Sequence, residues 1–233
     1  AVEQLLVYAE KDRSEEVFKM AKRYGYEIQG FYHTSKWRSG WKDVITEQLA
    51  LLDGKRKVPK NFLDKNTTYK WDDKRWTSLL KESTGLYMNV AGTDPQQMKD
   101  IIAVVDAQKL ENRDKISFNF NYTIDRMKYH HSSKEEKAKL DTHTHLSEGE
   151  FSTVDKLYDY CLDVKAQDKK ALVYYMHSKG LCCPRDPDSK AKNPVASWRE
   201  LMNTYVVEFP SICLRAILGK GYSTCGANNQ DAH

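Results

Sequence analysis

With 233 residues, 40% hydrophobic and 30% charged, the chain is long enough to bury a substantial core and is not compositionally disordered. Its 37 basic and 33 acidic residues leave a net charge of +4, and the basic runs Lys55-Arg56-Lys57 and Lys169-Lys170 are short and separated, which excludes a nucleic-acid footprint. No apolar run approaches the ~20 residues of a membrane-spanning helix.

In chain order, Val2 to Tyr24 carries Leu5, Leu6, Tyr8, Val17, Phe18, Met20 and Ala21 among many charges. This predicts one amphipathic helix, or two broken near Asp12 to Ser14, as an N-terminal helical extension over 1–26 ahead of an α/β domain over 27–233. The opening Ala-Val-Glu-Gln lacks an initiator methionine and a signal peptide, as a processed or excised piece does. A strand is expected over Glu27 to His33. A helix follows from Trp41 to Leu52, where Trp41, Val44, Ile45, Leu49 and Leu52 share one face. After a polar loop over 55–70, a helix is expected from Trp71 to Lys81 and a strand from Leu86 to Ala91. The exit Gly92-Thr93-Asp94-Pro95-Gln96 is a helix start, with Met98, Ile101, Ile102 and Val105 forming the buried stripe.

Lys115 to Tyr122 alternates Ile116, Phe118, Phe120 and Tyr122 against Ser117, Asn119 and Asn121, the pattern of a half-exposed strand near a sheet edge. The charged, histidine-rich stretch 126–150 is expected as a surface excursion. Ser152 then caps a helix carrying Val154, Leu157, Tyr158, Cys161 and Leu162. The run ALVYYMH (171–177) is apolar on both faces and predicts a central strand. Asn193-Pro194 opens a helix with Trp198, Leu201, Met202, Tyr205 and Val206. Pro210 opens another with Ile212, Cys213, Ala216 and Ile217, ended by Gly219 and Gly221, and Tyr222 to Gly226 is expected as a last short strand. Strands alternating with helices at this spacing predict an α/β fold, a mostly parallel sheet flanked by helices.

Five cysteines contain no CxxC spacing, which excludes a zinc ribbon. Cys161 and Cys213 fall on apolar helical faces and are expected as core residues, while Cys182-Cys183 sits in a loop where it could pair with distant cysteines. The count leaves the redox compartment open. The sequons at Asn66 and Asn121 permit glycosylation and point to the secretory pathway, in the Golgi lumen.

The chemistry concentrates at HSKG (177–180). In open α/β sheets ligands bind beyond the carboxyl ends of the strands, and this tetrapeptide ends a strand. His177 can act as acid, base or donor, Lys179 can hold a phosphate, and Gly180 lets a ligand approach the backbone. The plain alternative, that these residues mark where the strand meets water, weighs evenly against a ligand role.

YYMHSKG, then a Trp-Arg helix (Trp198, Arg199, Leu201, Met202) and Gly221-Tyr222-x-x-Cys225-Gly226-x-Asn228, resembles a glycosyltransferase-like family of bacterial polysaccharide loci, algae and protists. Matches at Trp41, Glu47, Gln48 and Leu49, and over Glu150 to Thr153 with Leu157-Tyr158, extend the likeness from about residue 28 to the end. The resemblance implies a nucleotide-diphospho-sugar-transferase-like fold and transfer of a sugar from a nucleotide-sugar donor to a glycan or glycoprotein acceptor. His177 and Lys179 would then face the donor phosphates, with Ser178, Gly180, Arg199, His33, Asp94 and Asn228 as further donor-site candidates. The family continues past its last His with a Ser-Gly-Asn-(Phe/Met)-Trp block, where this chain stops at His233, so its pattern is incomplete at the C-terminus. That departure favours a second expectation, a catalytically inactive transferase-like domain serving a protein assembly as a binding or structural subunit.

Other motifs carry less. Asp186-Pro187-Asp188 is the one D-x-D, a spacing with which sugar transferases hold Mn²⁺ or Mg²⁺ on the diphosphate, although a Pro-containing acidic loop is usually a turn. Asp141-Thr142-His143-Thr144-His145 has the Asp-x-His-x-His spacing of metal-dependent amidohydrolases, but the charged SKEEKAKL before it is no buried barrel strand, and too little chain follows for a ~200-residue barrel. It reads as a surface histidine cluster. Tyr175-x-x-x-Lys179 lacks the glycine-rich loop that dehydrogenase chemistry needs.

Overall fold

Four short strands rich in aromatic and β-branched residues make the centre of the molecule, seen in a computed structural model that describes residues 14–35, 41–53, 79–92, 95–122, 131–143, 150–178, 199, 201–203, 206–207 and 210–226. They are β1 (Tyr26–Ser35), β2 (Gly85–Gly92), β3 (Ile116–Tyr122) and β4 (Lys170–His177), joined in one sheet of order β3-β2-β1-β4 with every pairing parallel. The helices are α1 (Ser14–Arg23), α2 (Trp41–Leu52), α3 (Leu79–Glu82), α4 (Pro95–Ala107), α5 (Lys134–His143), α6 (Phe151–Ala166) and α7 (Pro210–Lys220). The architecture is α/β, a parallel sheet flanked by helices, as the alternation of strand and helix patterns predicts. No helix among the described residues is long and apolar enough to cross a membrane.

The two sheet faces are unlike. Ile28 and Tyr32 of β1, Leu86, Met88 and Val90 of β2, Ile116 of β3 and Leu172, Tyr174 and Met176 of β4 are buried together with α1, α2 and α4 residues in one apolar cluster. Phe18 of α1 is fully buried there, its ring 5.9 Å from that of Tyr174. Gly30 belongs to this face because a Cβ would come within 2.9 Å of Leu86 Cδ1. On the opposite face α6 lies over Phe31, whose ring is 5.7 Å from Tyr160, and over His33.

Several expectations are corrected. ALVYYMH is an edge strand among the described residues, not a central one. It is apolar on both faces because helices cover both faces of an α/β sheet, and that pattern does not report lateral position. Tyr222 to Gly226 forms no strand: Gly221 turns the chain at φ 74°, and Cys225 is disulfide-bonded to Cys213 twelve residues earlier, which holds the segment against α7. Cys213 is therefore a disulfide partner rather than a plain core thiol. Cys161 is an exposed free thiol, not a core residue.

The stripe expected to bury α6 faces water instead, with Val154 41%, Tyr158 62% and Leu162 46% exposed, alongside Phe151. The polar Thr153 is the fully buried residue, because the sheet presents His33 and Asn89 to it. Within 126–150 the described helix α5 was not expected. Its few apolar residues hide its period, yet Ser133 and Glu136 form a reciprocal cap, Ser133 N–H donating to Glu136 at 2.8 Å and Glu136 N–H to Ser133 Oγ at 3.2 Å.

Candidate functional site

The direction of chain growth across the sheet reverses once. From β1 the order runs outward to β2 and β3, and β4 then returns to the other side of β1. This is a topological switch point, and the carboxyl ends of β1 and β4 are where open parallel sheets leave a crevice for ligands. The residues at those ends are His33 and Thr34 on β1 and His177 and Ser178 at the end of β4.

Register brings four polar residues into one row there. His33 pairs with His177 on β4 and with Asn89 on β2, and Asn89 pairs with Asn119 on β3. The row two residues earlier is largely aromatic, with Tyr87, Phe31 and Tyr175 in register across β2, β1 and β4. Side chains two apart on a strand share a face, so the polar row is stacked beyond an aromatic floor at the carboxyl end of the sheet.

The first turn of α6 closes onto this row. Thr153 Oγ1 lies 2.9 Å from His33 Nδ1, and Asn89 Nδ2 donates to Thr153 Oγ1 at 2.7 Å and to Ser152 Oγ at 2.5 Å. Glu150, at the start of α6, accepts a hydrogen bond from Tyr175 OH, and the Tyr175 ring stacks 6.0 Å from that of His177. Burial and the Glu150 carboxylate together raise the Tyr175 hydroxyl well above the ordinary phenol range, which keeps it a donor. Burial lowers the His33 imidazole from 6.5 to about 4, with the Glu150 charge opposing the fall and His177 adding to it.

On the other face a second network ties the same strand ends together. Tyr32 OH donates to Gln48 Oε1 at 2.5 Å, while Gln48 Nε2 donates to the His177 carbonyl at 3.1 Å and to Asn203 Oδ1 at 3.2 Å. Thr34 and Ser178 share a buried hydroxyl hydrogen bond of 2.9 Å, and Ser178 N–H donates to the His33 carbonyl at 3.0 Å. Beside β4 runs a largely apolar cleft of about 600 Å³, lined by His177, Met176, Leu157, Asn203, Leu214 and Cys225 among others.

Of the site residues expected from sequence, His33, His177 and Ser178 are brought together. Arg199 is half-buried and its charge acts on Tyr32, whose hydroxyl lies on the opposite face from His33. Asp94, Lys179, Gly180, Asp186, Asp188 and Asn228 lie outside the described residues. Among the described residues no three His, Cys, Asp or Glu side chains are grouped to hold a metal. Sequence reasoning missed Asn89, Thr153, Glu150 and Tyr175 as site residues. Asn89 had a signal, a lone amide inside the apolar strand LYMNVA; the other three are assembled only by the packing of α6.

The fold is α/β, an all-parallel sheet whose polar side chains gather at its switch point. The chain belongs to the family described as Domain of unknown function (DUF8361), whose model matches residues 85–226. The matched span holds Asn89, Glu150, Thr153, His177 and the Cys213–Cys225 disulfide, while β1 with His33 precedes it. No curated protein and no solved structure matches the chain.

Proposed function

We propose that this protein is a glycosyltransferase-like protein that binds a nucleotide-sugar at the β1/β4 switch point and moves the sugar to a glycan or glycoprotein acceptor. The observation that carries the reading is the row Asn119–Asn89–His33–His177 at the carboxyl ends of parallel strands. The order β3-β2-β1-β4 is that of the first four strands in dinucleotide-binding sheets, which supports a nucleotide as part of the ligand. The adjoining cleft of about 600 Å³ is in the range of small-molecule sites.

In the transfer, the acceptor oxygen bonds the anomeric carbon as that carbon's bond to the diphosphate breaks. The diphosphate leaves with the electron pair, and the acceptor hydroxyl proton passes to the imidazole of His177, which lines the cleft. Lys179 and Arg199 are assigned to the donor phosphates, and a Mn²⁺ or Mg²⁺ ion carried by Asp186 and Asp188 would offset diphosphate charge. The Cys213–Cys225 disulfide, with the two sequons, supports an oxidising secretory compartment.

A second reading has its own support. His33 and Asn89 are buried and hydrogen-bonded to α6, as they would be in a domain that keeps the transferase framework and serves as a binding subunit. Thermal unfolding with UDP, GDP, CMP and their sugars, with and without Mn²⁺, decides between them. A ligand at ~100 times its Kd stabilises the native state by ~2.7 kcal/mol, a rise of roughly 5 to 10 °C in a domain this size. The transferase reading expects that rise with one nucleotide class and its loss in His177→Ala. A folded sample that responds to none of them leaves the binding-subunit reading.

A further inference from the structure

His33 and His177 are in register, yet their surroundings differ, and the difference assigns them separate roles. Around His33 Nδ1 stand Thr153 Oγ1 at 2.9 Å and Asn89 Nδ2 at 3.3 Å, and the same amide nitrogen is 2.7 Å from Thr153 Oγ1. An amide nitrogen can only donate. With Asn89 donating to the Thr153 oxygen, the Thr153 hydrogen can be directed at His33 Nδ1, and an accepting Nδ1 keeps any ring proton away from the amide hydrogens of Asn89, whose nitrogen is 3.3 Å away. A neutral imidazole has one accepting and one donating nitrogen, so the proton is carried on Nε2. A cationic ring would bring an Nδ1–H close to the Asn89 amide nitrogen, with Thr153 and Asn89 both fully buried.

We propose that Thr153 and Asn89 are positioning residues that fix His33 as a neutral ring protonated on Nε2, making it a hydrogen-bond donor to a ligand oxygen and leaving proton exchange to His177. The ligand role rests on the switch-point site described above. The oxygen such a donor recognises is one that keeps no proton of its own, as on the diphosphate of a nucleotide-sugar. The charged and titratable groups that act on His33 are Glu150 at the start of α6 and His177 on β4. Burial holds the ring neutral, and its proton affinity falls to about 4, in keeping with the geometry.

Long-range ¹H–¹⁵N spectra of the free, histidine-labelled protein test the tautomer without any ligand, with the resonance assigned by its loss in His33→Gln. The expected spectrum has a protonated Nε2 and a bare Nδ1 at pH 7, unchanged to about pH 5. Asn89→Asp places an acceptor beside Nδ1 and is expected to draw a proton there. Thr153→Val is expected to yield mixed tautomers, and Thr153→Ser to restore one. A wild-type ring protonated on Nδ1, or charged at pH 7, overturns the assignment, as does an Asn89→Asp variant whose His33 signals do not move. The donor role is read separately with UDP: His33→Phe is expected to weaken binding about tenfold while His33→Gln, which keeps an N–H, stays within about threefold. Equal binding by His33→Phe overturns the donor role. A wild-type protein with the expected tautomer that binds no nucleotide overturns the function proposed above and leaves the tautomer standing.

Discussion

The two faces of the sheet are built from the same four strands, one residue out of phase, and they do different work. The face toward α1, α2 and α4 is a continuous apolar surface whose members are nearly all inaccessible to water. The face toward α6 is aromatic at its centre and polar at its carboxyl end, and α6 meets it with Thr153 and Tyr160 while its apolar side points outward. Apolar packing is therefore concentrated on one face and the proposed recognition chemistry on the other. Because side chains alternate strictly along a strand, one segment such as Phe31-Tyr32-His33-Thr34 serves both faces at once.

The comparison can be broken most forcefully on the apolar face. Leu86→Ala is expected to cost about 2 to 5 kcal/mol in urea unfolding, since it opens a cavity among side chains that cannot fully collapse. A loss under 1 kcal/mol would mean this face is not the packed one. Next comes the staple beside the cleft: replacing Cys213 and Cys225 together by Ser is expected to cost about 3 kcal/mol, the loop-closure value for a short ring. Reductant should reproduce that loss in the wild type and do nothing to the variant.

The polar face should reveal itself through pH. His33 titrates at about 4 in the folded protein against 6.5 in the unfolded chain, so between those values the unfolded chain binds the extra proton. Stability from this residue is complete above pH 6.5 and is lost as pH falls toward 4, by on the order of 3 kcal/mol. Unfolding curves at pH 7 and 4.5 should show a drop that shrinks in His33→Phe; an equal drop in both would place the proton uptake elsewhere. The smallest effect belongs to the outward side of α6. Tyr158→Ala is expected to change stability by no more than about 0.5 kcal/mol, because the ring already stands in water.

The elements legible in the sequence are those whose period reports a buried face. Helix α2 begins and ends at Trp41 and Leu52 as its three-four spacing predicts, and among the described residues β3 is an edge strand, as its alternation Ile116-Ser117-Phe118-Asn119 predicts. Helix α5 was hidden because it has almost no apolar face, although its capping pair Ser133 and Glu136 was there to be read. For α6 the apolar stripe misled, since periodicity reports which residues share a side and not which side the sheet will accept.

What the amino-acid sequence determined by itself was local: the class of fold, those helix and strand segments whose period reports a buried face, and the delivery of His33 and His177 to strand ends. The tertiary structure alone decided that β4 lies beside β1, and so that these two histidines, 144 residues apart in the chain, stand in one register row with Asn89. It alone brought Thr153, Glu150 and Tyr175 around them, because strand order and helix seating depend on the packing of whole faces, which no short stretch of sequence encodes.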